Sequence, residues 1–237
     1  MDELKQMLGK KNYLWKSMRA QLKSDHGNID WTIGKWYEEK TTIKCQKGFH
    51  ASVRAIDAMR YVNCEILCKV EVKGKSDIDD DKQCWSEMRI EKAYVWKKED
   101  SVALAIYAAE LVIDIFEKEV PKDKRPRKAI EAAKKWLKSP TEKNRAAAYA
   151  AAYAAANAAA NAAANAANAA NAAAYAAANA AAYAANAANA TYAAYAAAYA
   201  ANAANAARRV APKKILDQCN KWVIDRIKTL EAYDSKS

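Results

Sequence analysis

The stretch AAAYAAAYAAANAAANAAAN, residues 146–165, decides the fold class of the second half of the chain. It opens a tract, 146–207, made of 44 Ala, 10 Asn, 7 Tyr and one Thr. Alanine has the best helix propensity, and each Asn costs only about 0.6 kcal/mol against it, so the expected state is helix rather than coil. A membrane span needs roughly 20 consecutive strongly apolar residues, and a polar or aromatic residue every three or four positions rules that out here. Unbroken, the tract would be about 93 Å long. Its Tyr and Asn recur with a mean step near 3.5, but their drift exceeds what one face of a straight helix can carry. Close-packed antiparallel helices are therefore expected over a single rod, with corners at Asn161–Asn171 and at Asn186/Asn189, because Asn tolerates the left-handed helix terminus. Small alanines let such helices approach closely, with Tyr supplying the bulk.

On either side of the tract the helical signals continue. Leu104, Ala108, Leu111, Val112, Ile115 and Phe116 recur at helical spacing after a cap at Asp100-Ser101, and Pro121 stops that helix. Pro126 opens the next one, whose stripe is Ala129, Ile130, Ala133, Trp136 and Leu137. Ser139-Pro140-Thr141-Glu142 reads as a capping box with Ser139 as N-cap. After the tract, Pro212 opens a final helix with Ile215, Leu216, Cys219, Trp222, Val223, Ile227 and Leu230 on one face. The segment Leu111–Phe116 is its expected partner.

The first 98 residues differ in texture. Trp31–Tyr37, Thr41–Cys45, Glu65–Lys73 (EILCKVEVK) and Glu87–Trp96 read as strands, with Ile66, Cys68, Val70 and Val72 on one face. Ser52 is the expected N-cap of a helix Val53–Tyr61, and Gly74 the expected strand end. The acidic run at 77–81 reads as a solvated loop, lacking EF-hand spacing. The order β-β-α-β-β suggests a small α+β module, 1–98, followed by a helical domain, 99–237, mainly α overall.

Composition narrows the chemistry. The net charge is +11, and only five Gly and two His are present. Neither a dinucleotide fingerprint nor a Walker A motif occurs. Five cysteines without paired CxxC motifs suit buried, reduced thiols; Cys64 and Cys68 share a strand face but lie too far apart for chelation. No metal and no cofactor is expected. The N-terminal residues show neither a basic n-region nor an apolar h-region, so a cytoplasmic protein without a signal peptide is expected.

The segment 118–138 concentrates charge, with nine Lys/Arg against three acids. Arg125, Arg127 and Lys128 at a helix N-terminus form a candidate anion site. The competing reading is an exposed turn whose arginines pair with Glu110, Asp114 or Asp123. Nucleic acid is not an expected partner, since no base-reading motif accompanies the patch. His50, after Gly48-Phe49, reads as a turn residue or, in an ADP-ribosyl-transfer arrangement with Glu87 as acid, as a binding group. In the tract, Tyr149, Tyr153, Tyr175, Tyr183, Tyr195 and Tyr199 are candidate contacts for a protein or a stacked base.

Residues 100–138, from DSVALAIYAAE (100–110) through FEK (116–118) to DKRPRKAIEAAK (123–134), resemble the bacterial and phage putative immunity protein family, across about 100–232. The segment before it, with GKWYEE (34–39) and KCQKGFHAS (44–52), resembles small modules of phage proteins. The resemblance implies an all-helical domain associated with toxin immunity, one that binds and neutralises rather than catalyses. The expected function is thus a non-catalytic immunity or anti-defence protein that occupies a protein toxin or immune effector. The alternative is a sequestering protein for an anionic, phosphate-containing nucleotide, and an ADP-ribosyl-type enzyme in the N-terminal module stands third. Self-association into a homo-oligomer is compatible with either binding role.

Overall fold

A computed structural model describes residues 13–24, 29–43, 46–59, 64–78, 82–164 and 212–233. The chain divides into two compact units, one formed by Met1–Trp96 together with Arg226–Ser237, the other by Lys97–Asp225.

The first unit is built on two long antiparallel strands, β4 (Ile66–Ile78) and β5 (Gln83–Val95), paired along their lengths. β1 (Tyr13–Met18) lies on the far side of β4. The other side of β5 is tiled by short pieces: β3 (Phe49–Ala51) against Gln83–Trp85, β2 (Tyr37–Glu38) against Glu87 and Met88, and Ala232 against Tyr94. Tyr233 N–H donates to the Ala93 carbonyl at 2.9 Å, so the C-terminal segment finishes this edge. Reciprocal 2.8 Å bonds between Trp15 and Ser52 then join β3 to β1, closing a ring of β1, β4, β5 and β3. Covered edges offer no template for stray pairing. Inside the ring lie Leu14, Met18, Trp31, Phe49, Val70 and Met88.

Several sequence expectations change here. Gly74 does not end its strand: with φ +83° it sits at the register shift between Lys73 and Ser76, a bulge that glycine absorbs, and β4 continues through Asp77 to Ile78. The expected strand Trp31–Tyr37 shrinks to Tyr37–Glu38, because the chain turns at Gly34. Of the expected strand Thr41–Cys45, the described part, 41–43, takes part in the Ile43–Lys47 bridge. Ser52 spends its backbone groups on Trp15 instead of capping, and the helix after it, α1 (Ala55–Ala58), starts from Arg54.

The second unit is helical. α2 (Lys98–Glu110) begins where the Asp100 carboxylate accepts the Lys97 N–H at 2.9 Å, so Asp100 acts from inside the first turn. The single helix expected up to Pro121 is two, α2 and α3 (Ile113–Glu119), because Val112 leaves helical geometry. α4 (Arg125–Lys138) buries Pro126, Ala129, Ile130, Ala133 and Trp136. Thr141, not Ser139, caps α5 (Glu142–Ala164): its Oγ1 accepts the Asn144 N–H at 3.3 Å, while Asn144 Nδ2 donates to the Ser139 carbonyl at 2.8 Å. α5 packs on α4 through Ala148, Ala152 and Ala155. α6 (Pro212–Ile227) buries Ile215, Leu216, Cys219 and Val223, and Trp222 stacks on Tyr107 of α2 with ring centroids 6.0 Å apart.

The fold class is α+β overall, not mainly α: β4 and β5 run to 13 residues each, a few more than their sequence signals, and anchor a sheet of five strands. Most of the alanine tract, 165–207, lies outside the described residues, and with it the question of one helix or several. Among the described residues no helix is long and apolar enough to cross a membrane.

Candidate functional site

α5 presents two unlike faces because its sequence repeats alanine against one aromatic or amide per turn. Ala148, Ala152 and Ala155 are buried toward α4, and the lack of side-chain bulk there brings the two helices close. Tyr149 and Tyr153, one turn apart on the outward side, are 61% and 71% exposed. Asn157, a further turn along, is exposed as well. Tyr149 and Tyr153 therefore do not supply bulk between helices as the sequence suggested. They stand in solvent on one side of α5, spaced to be touched together. Tyr175, Tyr183, Tyr195 and Tyr199 lie outside the described residues.

The two arginines of the basic corner are engaged by neighbouring carboxylates. The Arg125 guanidinium grips Asp123 through Nε at 2.9 and 3.1 Å and Nη2 at 2.6 Å, holding that carboxyl below the usual range. Arg127 grips Glu117 at 3.0 and 2.6 Å and reaches Asp114 at 3.2 Å. Bonding to Arg127 lowers Glu117 likewise, and Lys124 adds to it from 3.5 Å. Lys134 bridges Glu110 at 2.7 Å and Glu131 at 3.3 Å. These contacts brace α2 and α3 against α4, as in the second of the two readings of this segment. Lys128 is exposed.

His50 lies in β3, opposite Cys84, not in a turn. Its backbone carbonyl accepts a 3.0 Å bond from Lys16 Nζ. Burial, then the positive charges of Lys16 and Lys82, push its imidazole down to about 4, so it is neutral at pH 7. Glu87 pairs with Lys73 at 2.8 Å across the β4–β5 ladder. Cys64 precedes β4, whereas Cys68 lies within it; both are buried. Burial raises the thiol pKa of Cys68 and pushes that of Cys219 up to about 12, which makes them poor nucleophiles. Among the described residues no group of three or more His, Cys, Asp and Glu is placed to hold a metal.

Sequence reasoning missed Lys16. The signal was present in YLWKSM (13–18), where a lysine occupies the inward register between Leu14 and Met18. The whole strand passed unread because it is short and its flanks are polar.

Comparison with known families adds two matches. Residues 95–231 match the family model described as Imm-5 like putative immunity protein. Residues 12–100 match that of a domain of unknown function (DUF7666), which carries no phage assignment for this segment. No curated protein and no solved structure matches the chain.

Proposed function

The chain belongs to the Imm-5 like putative immunity protein family, whose model covers more than half of it, and from that premise we propose that it neutralises a protein toxin by binding it, without turning over a substrate. The contact surface in this reading is the outward face of α5, with Tyr149 and Tyr153 as anchors and Asn157 beside them. The observation that carries it is the exposure of two tyrosines one turn apart on a helix whose other side is close-packed. Tyrosine is enriched among residues that dominate interface energetics. It brings a large amphipathic surface with few rotors to freeze. The alanine seam against α4 holds the pair in fixed relation, which lowers the ordering cost of association.

The Arg125/Arg127 corner serves as a brace in this reading. Arg125 and Arg127 are engaged by Asp123, Glu117 and Asp114, so of the cationic site expected for the nucleotide alternative the exposed Lys128 remains.

The test is co-expression in a bacterial host of the chain with each member of a panel of polymorphic-toxin domains, scored by growth, followed by calorimetry on the rescued pair. Rescue at one-to-one stoichiometry is expected. Tyr149→Ala with Tyr153→Ala should weaken binding about thirtyfold, roughly 2 kcal/mol, with unchanged helicity, since neither ring is packed. Undiminished affinity in the double variant, or rescue at strongly substoichiometric levels, overturns the reading.

A further inference from the structure

The first unit holds a lysine, Lys16, whose ammonium lies 5.9 Å from the Trp31 ring centroid and has no ion pair with a carboxylate among the described residues. Lys16 occupies the inward register of β1, with Leu14 and Met18 of the same register in the core. Its ammonium donates to the His50 carbonyl at 3.0 Å, which uses one of three N–H groups. The ionisable groups that act on it are the thiols of Cys68 on β4 and Cys84 on β5, with His50 and Lys82 alongside; no carboxylate is among them. Burial lowers its pKa to about 8, so it stays charged at neutral pH. Even half-buried, a cation without a counter-ion gives up part of its hydration uncompensated.

That cation borders a cavity of about 50 Å³, lined by Trp15, Lys16, Ser17, His50, Ser52 and Lys82, with Ala51 and Ala58 on its apolar side. A space of this size holds roughly four water-sized atoms, which is the size of a four-oxygen anion. Among the described residues no acidic side chain lines it. Lys82 brings a second positive charge. The Ser17 hydroxyl is buried and has no hydrogen-bond partner. The His50 ring, which Asp77 also influences, is neutral at pH 7 and adds no charge of its own.

We propose that this cavity is a binding site for a tetrahedral oxyanion, phosphate or the phosphoryl end of a phosphomonoester, held by the ammonium groups of Lys16 and Lys82. The anion supplies a counter-charge to Lys16. The site belongs to the β unit and is independent of the helical face assigned to toxin binding.

The experiment is calorimetry and thermal unfolding of the full chain in chloride buffer at constant ionic strength, titrated with inorganic phosphate, sulfate and AMP. Saturable one-to-one binding and a rising Tm are expected. Lys16→Met should weaken binding more than tenfold and Lys82→Ala severalfold, while Arg125→Ala with Arg127→Ala leaves it unchanged. General stabilisation by excluded salts is read from Lys16→Met and subtracted. With sulfate, whose charge is constant, affinity should fall about tenfold per pH unit above pH 8 as the amine of Lys16 loses its proton. Equal affinities for phosphate and AMP identify the anion itself as the ligand, and tighter AMP identifies a nucleoside phosphate; either supports the site. Absence of saturable binding, or equal affinity in the parent and Lys16→Met, overturns it. Should Lys16→Met fail to fold, full affinity in Lys82→Ala does the same.

Discussion

Replacing Lys16 by Met should make the protein more stable, not less. The amine titrates near 10.5 when unfolded and at about 8 in the folded unit, a difference of roughly 2.5 pH units. At 1.36 kcal/mol per unit, burying the charge costs about 3 kcal/mol, or about 2 once partial solvent access of the half-buried side chain is counted. Losing the bond to the His50 carbonyl removes about 1 kcal/mol, and the apolar methionine chain restores a similar amount. The variant should thus gain about 1–2 kcal/mol at pH 7. Because the folded pKa lies below the unfolded one, the unfolded chain holds more protons between pH 8 and 10.5. Parent stability should therefore rise with pH across that window, and the variant should lack this rise. Urea unfolding followed by intrinsic fluorescence, at pH 7 and at pH 10 in chloride without phosphate or sulfate, measures both effects. A variant less stable at pH 7, or one whose stability still climbs as steeply toward pH 10.5, would refute the account of Lys16 as an unbalanced interior charge.

His50 gives an opposite window. Its imidazole titrates at about 4 in the folded state against 6.5 unfolded, so stability present above pH 6.5 should be lost as pH falls toward 4. His50→Gln should flatten that limb in acid titrations followed by circular dichroism. At Gly74, φ is +83°, and an added Cβ would run into Ser86 Oγ and lie 3.1 Å from Glu87 Oε1. The Ser86 hydroxyl already accepts the Lys75 N–H at 2.9 Å. Gly74→Ala should destabilise the first unit by about 2 kcal/mol in chemical denaturation; a neutral result would mean that the bulge carries no strain.

How much of this was legible depended on whether a feature is local. The alternation in EILCKVEVK fixed which face of β4 is buried, and Ile66, Cys68, Val70 and Val72 are all inside. The stripes Ala129–Trp136 and Ile215–Val223 read correctly because helical periodicity is a property of neighbouring residues. The length of β4 did not, since a glycine that normally punctuates a strand here accommodates a bulge whose partner, Ser86, lies twelve residues on. Nor did the edge of β5, which is assembled from Tyr37, Phe49 and Ala232, three pieces no local pattern connects. Of the candidate site residues, the arginines were found as a charge cluster, but their engagement by Asp114 and Glu117 required knowing that α3 turns back alongside α4. Tyr149 and Tyr153 were legible as a stripe. Their outward direction followed only once Ala148 and Ala152 were seen to take the buried side.

The segment that pairs Tyr94 with Ala232 also sets an order of events during synthesis. Gln83–Val95 leaves the ribosome about 140 residues before the stretch that completes its edge. Until then the nascent sheet waits with that end of β5 unpaired, while the intervening helices are made and packed. That edge of the sheet is therefore finished only after the helices that intervene in sequence have been made.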